Sequence, residues 1–171
     1  MQEITGNIWD FHAQGSWITI PPNGSIRKDG QAIMGRGIAK EAATRYIDLP
    51  YRLADHIKME GNTVEVFPDI KIITFPVKWE WYEIASVELI ILSCWALVSK
   101  VERLNIPTPI YMVRPGCGNG KLAWEDVKPV ISKYLDDRFV VVEISRVVRE
   151  RPEMEVEYAR KIARPQAYRE D

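Results

Sequence analysis

The chain has 171 residues and a formal net charge of −1, so it is long enough for one domain with a substantial core. This near-neutral balance gives no whole-chain field that would attract nucleic acid or a membrane surface, although it does not exclude a local basic groove. A count of two cysteines excludes a disulfide framework, and the isolation of both cysteines and both histidines in the sequence argues against a zinc site. We expect no metal and no cofactor. Because no signal segment or membrane-spanning apolar run occurs, we expect a cytoplasmic protein without membrane contact. We also expect a monomer.

Strands and helices alternate through the first half of the chain. The patterns predict strands over 2–8, 16–20, 64–67 and 70–75, and helices over 37–46 and 50–59. Pro50 suits the first turn of the second helix, where a proline costs no hydrogen bond. Residues 9–12 fit either a helical turn or a loop. The stretch 76–82 has neither period and is predicted to be an irregular loop.

The alternation continues through the second half. Ser86 is a suitable N-cap for a helix whose period predicts a buried face made of Val87, Ile91, Cys94, Trp95, Val98 and Val101. Further patterns predict strands over 109–113 and 139–144, a glycine-rich loop over 114–120, and a helix over 124–135. The last strand is almost fully apolar, as expected in a sheet covered on both faces. From Arg146 the chain is highly charged, with a pattern compatible with a helix from Glu153 to Ile162.

This order of elements predicts an α/β fold, a three-layer α/β/α sandwich with a mixed, largely parallel sheet. We expect one domain over 1–145 and a charged extension over 146–171 that packs on this domain or trails from it. In such sheets ligands bind beyond the carboxyl ends of the strands. Two glycine-rich loops directly follow strands, so we expect them to meet at one crevice.

The first glycine-rich loop ends in Gly35-Arg36-Gly37, where a helix begins. Glycines let backbone N–H groups approach an anion, and the helix N-terminus adds partial positive charge. Paired glycines before a helix also occur in plain tight turns, so this loop alone is weak evidence. A second loop, 116–120, follows another strand, and together the two loops favour a phosphate or diphosphate ligand.

Four stretches carry a family resemblance. They are Gly6-Asn7-Ile8, then Pro22-Asn23 with Gly35-Arg36-Gly37-Ile38-Ala39, then Thr74-Phe75-Pro76-Val77-Lys78, and finally Gly116-Cys117-Gly118 through Leu122-x-Trp124 with Val127-Lys128-Pro129. Together they resemble the macro domain, an α/β/α fold that binds ADP-ribose. The similar branch includes terminal ADP-ribose protein glycohydrolases and antitoxins that remove ADP-ribose from DNA. The resemblance spans roughly residues 6–135.

The resemblance implies an ADP-ribose site, with Asn7 at adenine and Asn23 at the distal ribose. The ligand-binding residues that it implies are Gly6, Asn7, Ile8, Asn23, Gly35, Arg36, Gly37, Ile38, Gly116, Cys117, Gly118, Asn119, Gly120, Lys121 and Leu122. It also implies that Lys78 is catalytic, either by attacking the anomeric carbon or by stabilising charge there. The partner would be ADP-ribose or an ADP-ribosylated protein or nucleic acid.

Three positions depart from the family pattern. Asn7 stands where an aspartate is usual, so its amide oxygen would accept from the adenine amino group without charge. Gly120 stands where some glycohydrolases carry a carboxylate, and Lys121 where a small residue is common. Glu80 and Glu83 are candidates for supplying that carboxylate from another direction.

Each candidate residue also has a structural interpretation. Lys78 fits a solvated loop lysine, and Asn23 fits a turn residue that bonds its own backbone. The cluster Trp79, Trp81 and Tyr82 fits either packing or a wall on the substrate side. Cys117 has no histidine nearby in sequence, which argues against a nucleophile. His12 and His56 are predicted to be structural or surface residues.

Two functions stay open at this level. One is an ADP-ribosyl hydrolase acting on a modified protein or nucleic acid, and the other is a non-catalytic binding module for ADP-ribose or a related nucleotide. Lys78 favours the enzyme, because binding alone needs no nucleophile. Gly120 favours the module, because hydrolysis needs proton transfer.

Overall fold

The structure is a computed structural model, and it describes residues 1–144. The predicted extension 146–171, with its helix pattern from Glu153 to Ile162, lies outside the described residues. The elements are β1 (Gln2–Gly6), α1 (Ile8–Ala13), β2 (Trp17–Ile20), α2 (Gly37–Arg45), α3 (Leu49–Glu60), β3 (Glu65–Phe67), β4 (Ile72–Thr74), α4 (Val87–Arg103), β5 (Ile110–Met112), α5 (Trp124–Ile131) and β6 (Phe139–Ile144).

The strands form one six-stranded sheet in the order β1-β6-β5-β2-β4-β3. Along this order each neighbouring pair is parallel except the last, because β3 pairs antiparallel with β4. The predicted mixed, largely parallel sheet is therefore confirmed. Because parallel strands end at the same edge, the segments that follow β2, β4 and β5 emerge together beside the end of β6.

Helices cover both faces of the sheet and create two separate cores. On one face α1, α2 and α3 pack against Ile18, Ile20 and Ile72. On the other face α4 and α5 pack against residues that include Ile73 and Ile110. Successive strand residues point to opposite faces, which is why Ile72 and Ile73 belong to different cores. The three-layer α/β/α sandwich is thus confirmed.

The buried face of α4 differs from the predicted one. The helix buries Leu89, Ile90, Ser93, Cys94, Leu97 and Val101. Val87 and Trp95, both predicted to be buried, are 36% and 65% exposed. Apolar residues surround most of this helix, so their period alone does not identify the side that meets the sheet.

The remaining differences concern the ends of elements. Residues 9–12, for which the sequence left helix or loop open, lie in helix α1. The helix predicted over 124–135 ends at Ile131 and contains Pro129. Ser86 caps α4 as predicted, because its side chain accepts a hydrogen bond from the Leu89 N–H.

Within residues 1–144, no helix combines the length and apolar character needed to cross a bilayer.

Candidate functional site

A cleft of about 820 Å³ opens at the carboxyl edge of the sheet. Its walls come from the loops after β2, β4 and β5, from the start of α2, and from the end of β6. A volume of this size is typical of small-molecule sites. Both glycine-rich loops line this one cleft.

The start of α2 forms the first glycine-rich wall, which runs from Gly35 to Ala39. Arg36 is the N-cap residue of α2, and no side-chain hydrogen bond from the described residues caps this end. Gly37 has a φ of +56°, a conformation that strongly favours glycine. The first N–H groups of a helix have no partner inside it, so this turn offers donors and partial positive charge to an anion.

The second glycine-rich loop, residues 116–122, lies close to the first. A Cβ atom added to Gly37 would be 3.1 Å from Nδ2 of Asn119. At Gly120 a Cβ atom would collide with the Gly116 carbonyl oxygen and lie 2.7 Å from Cβ of Ala85. Packing therefore requires glycine at position 120, and no carboxylate side chain fits there.

Lys78 lies in the loop after β4 and lines the same cleft. Its Nζ donates a hydrogen bond to the Trp81 carbonyl oxygen at 3.4 Å. Partial burial, followed by the charges of Lys121 and Arg36, lowers the pKa of the Lys78 ammonium. Each cause disfavours the charged form, and a neutral lysine amine is a nucleophile.

Charged residues of both signs line the cleft. Arg114 and Glu143 form an ion pair, with Nη2 3.2 Å from Oε2, and the Arg114 guanidinium also lies 5.1 Å from the centre of the Trp124 ring. The other charged lining residues are Arg36, Lys78 and Lys121 against Glu83 and Glu125. Lys121 has a φ of +63°, unusual for a residue with a side chain. With Lys78 protonated, the lining residues carry four formal positive charges against three negative ones, and with Lys78 neutral the two signs balance.

Asn23 lines the cleft with both ends of its amide engaged. Its Nδ2 donates to the Ile33 carbonyl oxygen at 3.0 Å, and its Oδ1 accepts from the Ser25 N–H at 2.9 Å. These bonds show the turn-forming role that the sequence left open. An amide also has a second hydrogen and a second lone pair, so Asn23 retains capacity for a ligand hydroxyl.

The cleft brings together most of the predicted site residues. Those that line it are Asn23, Gly35, Arg36, Gly37, Ile38, Lys78, Gly116, Cys117, Gly118, Asn119, Gly120, Lys121 and Leu122. Gly6, Asn7 and Ile8 are not among its lining residues. Ile8 is buried in the core, and Asn7 caps α1 by accepting from the Trp9 N–H at 2.9 Å. Adenine recognition by Asn7 stays a prediction.

Glu80 and Glu83 are the two residues that the sequence offered in place of a carboxylate at position 120, and only one of them lines the cleft. Glu83 lines the cleft, as does Glu125 at the start of α5. Glu80 does not line it, and its Oε2 accepts a hydrogen bond from Ser25 Oγ at 2.5 Å. The expectation that Glu80 could supply the carboxylate is therefore not supported.

The contacts of Cys117, His12 and His56 indicate structural roles. Burial, as the largest cause, raises the pKa of the Cys117 thiol, which makes it a poor nucleophile. His12 Nε2 is 2.8 Å from the Ile70 carbonyl oxygen, and His56 Nδ1 is 2.7 Å from Glu65 Oε2. In the described part of the chain, no group of His, Cys, Asp and Glu is arranged to hold a metal ion.

Sequence reasoning missed the lining residues at the ends of β5 and β6, namely Val113, Arg114, Val142, Glu143 and Ile144. The signal was present, because neighbouring parallel strands end at the same edge and β6 was predicted to end at Ile144. For Trp81 and Tyr82, the sequence left open whether the side chains serve in packing or form a wall on the substrate side. They line the cleft, are 53% and 69% exposed, and their rings contact each other edge to face.

No protein-family model and no curated protein matches the chain, whereas solved structures do. The macrodomain of Mycobacterium tuberculosis DarG has a TM-score of 0.62 at 24% identity, over 76% of this chain and 90% of that one. The macrodomain of Thermus aquaticus DarG has a TM-score of 0.62 at 22% identity, over 82% and 95%. The chain has the macrodomain fold.

A third similar structure is Thermosipho africanus DarTG in complex with ADP-ribose, with a TM-score of 0.69 at 19% identity. The match covers 85% of this chain and 41% of that chain. The chain thus spans about two fifths of the length of the Thermosipho protein. At these identities the likeness shows the macrodomain fold, and any activity must be argued from the cleft.

Proposed function

We propose that this macrodomain binds ADP-ribose and is an ADP-ribosyl hydrolase that releases ADP-ribose from a modified protein or nucleic acid. The observation that carries the proposal is that the start of α2, the second glycine-rich loop and Lys78 all line one cleft. The complex of Thermosipho africanus DarTG with ADP-ribose adds support, because a protein of this fold holds that ligand.

The diphosphate is the part of ADP-ribose that the glycine-rich walls suit best. Its charge matches the helix N-terminus at Gly37 and the cations Arg36 and Lys121. Glycines at 35, 37, 116, 118 and 120 keep side chains out of the space beside the backbone N–H groups. Binding by backbone donors costs no side-chain entropy and orients both riboses.

Lys78 would act at the distal ribose, where a glycosidic bond joins ADP-ribose to its carrier. A neutral amine would attack the anomeric carbon as the bond to the carrier breaks, and water would then release ADP-ribose and restore the lysine. The departing carrier atom needs a proton. Glu83 and Glu125, whose carboxyl groups line the cleft, are the candidates for donating it. A protonated Lys78 would instead stabilise the negative charge that develops on the departing carrier atom, because the charge that develops at the anomeric carbon is positive.

A specific observation favours the second candidate, a binding module without turnover. Position 120 has no room for the carboxylate that some glycohydrolases carry there. Calorimetry with ADP-ribose, followed by product assays on ADP-ribosylated protein, DNA and RNA, separates the two functions. Binding with release supports the hydrolase, and binding without release from any of these carriers leaves only the module. No binding would remove both candidates.

The pH dependence of turnover tests the state of Lys78. We expect kcat/KM, which reports the pKa values of the free enzyme, to rise with pH as the ammonium loses its proton, with a midpoint below the roughly 10.4 of a free lysine. Removing the Lys121 charge in Lys121→Gln should move this midpoint to higher pH, because a neighbouring cation disfavours the charged form. Lys121→Arg, which keeps the charge, is the matched control. A flat pH profile, or a midpoint lowered in Lys121→Gln, would contradict the neutral-amine role.

Asn7 allows a test that separates folding from adenine recognition. Asn7→Ala removes the cap of α1 and should lower the free energy of unfolding by about 1 kcal/mol, whereas Asn7→Asp keeps an equivalent cap. If Asn7 also accepts from the adenine amino group, Asn7→Ala should weaken ADP-ribose binding roughly tenfold and reduce discrimination against the inosine analogue. Denaturation and calorimetry measure the two effects, and an unchanged preference between the bases would show that Asn7 does not read adenine.

A further inference from the structure

The loop that carries Lys78 is attached to the loop after β2 by a series of hydrogen bonds. The Val77 N–H donates to the Pro22 carbonyl oxygen at 3.2 Å, and the Gly24 N–H donates to the Trp79 carbonyl oxygen at 3.1 Å. Asn62 Nδ2 adds a bond to the Lys78 carbonyl oxygen at 2.8 Å. The backbone on both sides of Lys78 is therefore held by neighbouring segments.

Ser25 completes this attachment through a single hydroxyl. Its Oγ donates to Glu80 Oε2 at 2.5 Å and accepts from the Trp81 N–H at 3.0 Å. Ser25 is only 7% exposed, so water competes little for these bonds. A hydrogen bond to a carboxylate is also stronger than one between neutral groups.

The same serine is connected to Asn23. The Ser25 N–H donates to Asn23 Oδ1 at 2.9 Å, and the Ser25 carbonyl oxygen accepts from the Ile33 N–H at 2.9 Å. Asn23 and Lys78, which both line the cleft, are thus carried by segments that Ser25 ties together. Neither Ser25 nor Glu80 lines the cleft, so any effect they have on a ligand must pass through other residues.

We propose that Ser25, through its hydrogen bonds to Glu80 and Trp81, is a positioning residue that fixes Lys78 relative to Asn23 for reaction at the distal ribose. This inference rests on the proposed hydrolase function. The loop after β4 is irregular, and a lysine side chain has many rotamers, so a productive approach requires the backbone beneath it to be fixed. A displacement of about 1 Å at a reacting group can cost up to a hundredfold in rate.

Ser25→Ala in the full chain tests the positioning role. We expect kcat for release of ADP-ribose to fall roughly tenfold or more, while the dissociation constant for ADP-ribose changes less than about twofold. Amide hydrogen exchange should accelerate in the segment 77–82 of the ligand-free protein, because the Trp81 N–H loses its acceptor. Ser99→Ala, on the exposed side of α4, is the matched control that should change none of these quantities.

Glu80 provides a second pair of variants that leaves the buried serine in place. Glu80→Ala removes the acceptor and should repeat the loss of kcat, whereas Glu80→Gln keeps an acceptor oxygen and should largely restore it. A merely structural role would not produce this separation of kcat from affinity together with rescue by glutamine. If Ser25→Ala fails to fold, Glu80→Ala still tests the positioning role.

The outcomes separate this inference from the function on which it rests. Turnover by the wild type with an unchanged kcat in Ser25→Ala and Glu80→Ala would overturn the positioning role and leave the hydrolase intact. Unchanged hydrogen exchange in residues 77–82 would likewise show that Ser25 does not hold the loop. Absence of turnover by the wild type would overturn the hydrolase proposal itself, and the positioning role with it.

Discussion

Lys78→Ala should lower the turnover of an ADP-ribosylated substrate by a hundredfold or more, which corresponds to about 3 kcal/mol of transition-state stabilisation. The affinity for ADP-ribose should change only a few-fold. The reason is that an amine attacking the anomeric carbon, or an ammonium stabilising charge on the departing carrier atom, acts in the transition state rather than in the ground state. Rapid-quench measurement of kcat, with calorimetry for ADP-ribose, checks both parts.

Lys78→Arg distinguishes the nucleophile from the charge. We expect it to fail nearly as badly as Lys78→Ala, because a guanidinium keeps the charge but does not act as a nucleophile. Lys58→Ala, an exposed lysine in α3 that does not line the cleft, is the matched control and should keep wild-type turnover. Retained activity in Lys78→Arg would mean that charge alone suffices.

Gly37→Glu should abolish detectable binding of ADP-ribose. The new side chain would enter the wall where an added Cβ atom alone would lie 3.1 Å from Asn119 Nδ2, and its carboxylate would repel a diphosphate at the start of α2. The backbone strain at a φ of +56° adds a folding cost of about 1 kcal/mol or somewhat more. Calorimetry with ADP-ribose gives the direct readout.

Gly30→Glu is the control for strain and charge. Gly30 has a φ of +89°, has open space where a side chain would project, and does not line the cleft. This variant adds the same charge and a comparable backbone strain, yet it should bind ADP-ribose as the wild type does. If Gly37→Glu also kept wild-type affinity, the phosphate path would have to lie elsewhere.

The architecture could be predicted because its signals are local and repeated. The apolar run of β6 indicated a covered strand, and Ser86 marked the start of α4 by its capping chemistry. The alternation of strands and helices then determined a largely parallel sheet. The position of both glycine-rich loops after strands followed from this order, and it places them beside one cleft.

The details that escaped prediction depend on contacts between distant parts of the chain. The sheet, rather than the apolar period, selects which side of α4 is buried, so Trp95 is exposed and Ile90 is not. Ser25 and Glu80 are 55 positions apart, and neither carries a motif that would connect them. The cap at Asn7 was within reach of sequence rules, but the patterns placed Asn7 in the first strand and left helix or loop open for residues 9–12.

A crystal structure of the protein grown with ADP-ribose tests the central claim most directly, because the claim concerns where the ligand lies. We predict that the diphosphate contacts the first turn of α2 and the loop 116–122, with the distal ribose within hydrogen-bonding reach of Lys78. ADP-ribose bound instead in the groove at the opposite edge of the sheet, beside Gln2, Tyr111 and Arg138, would contradict the account. Binding in the cleft with adenine, rather than the distal ribose, at Lys78 would contradict it equally.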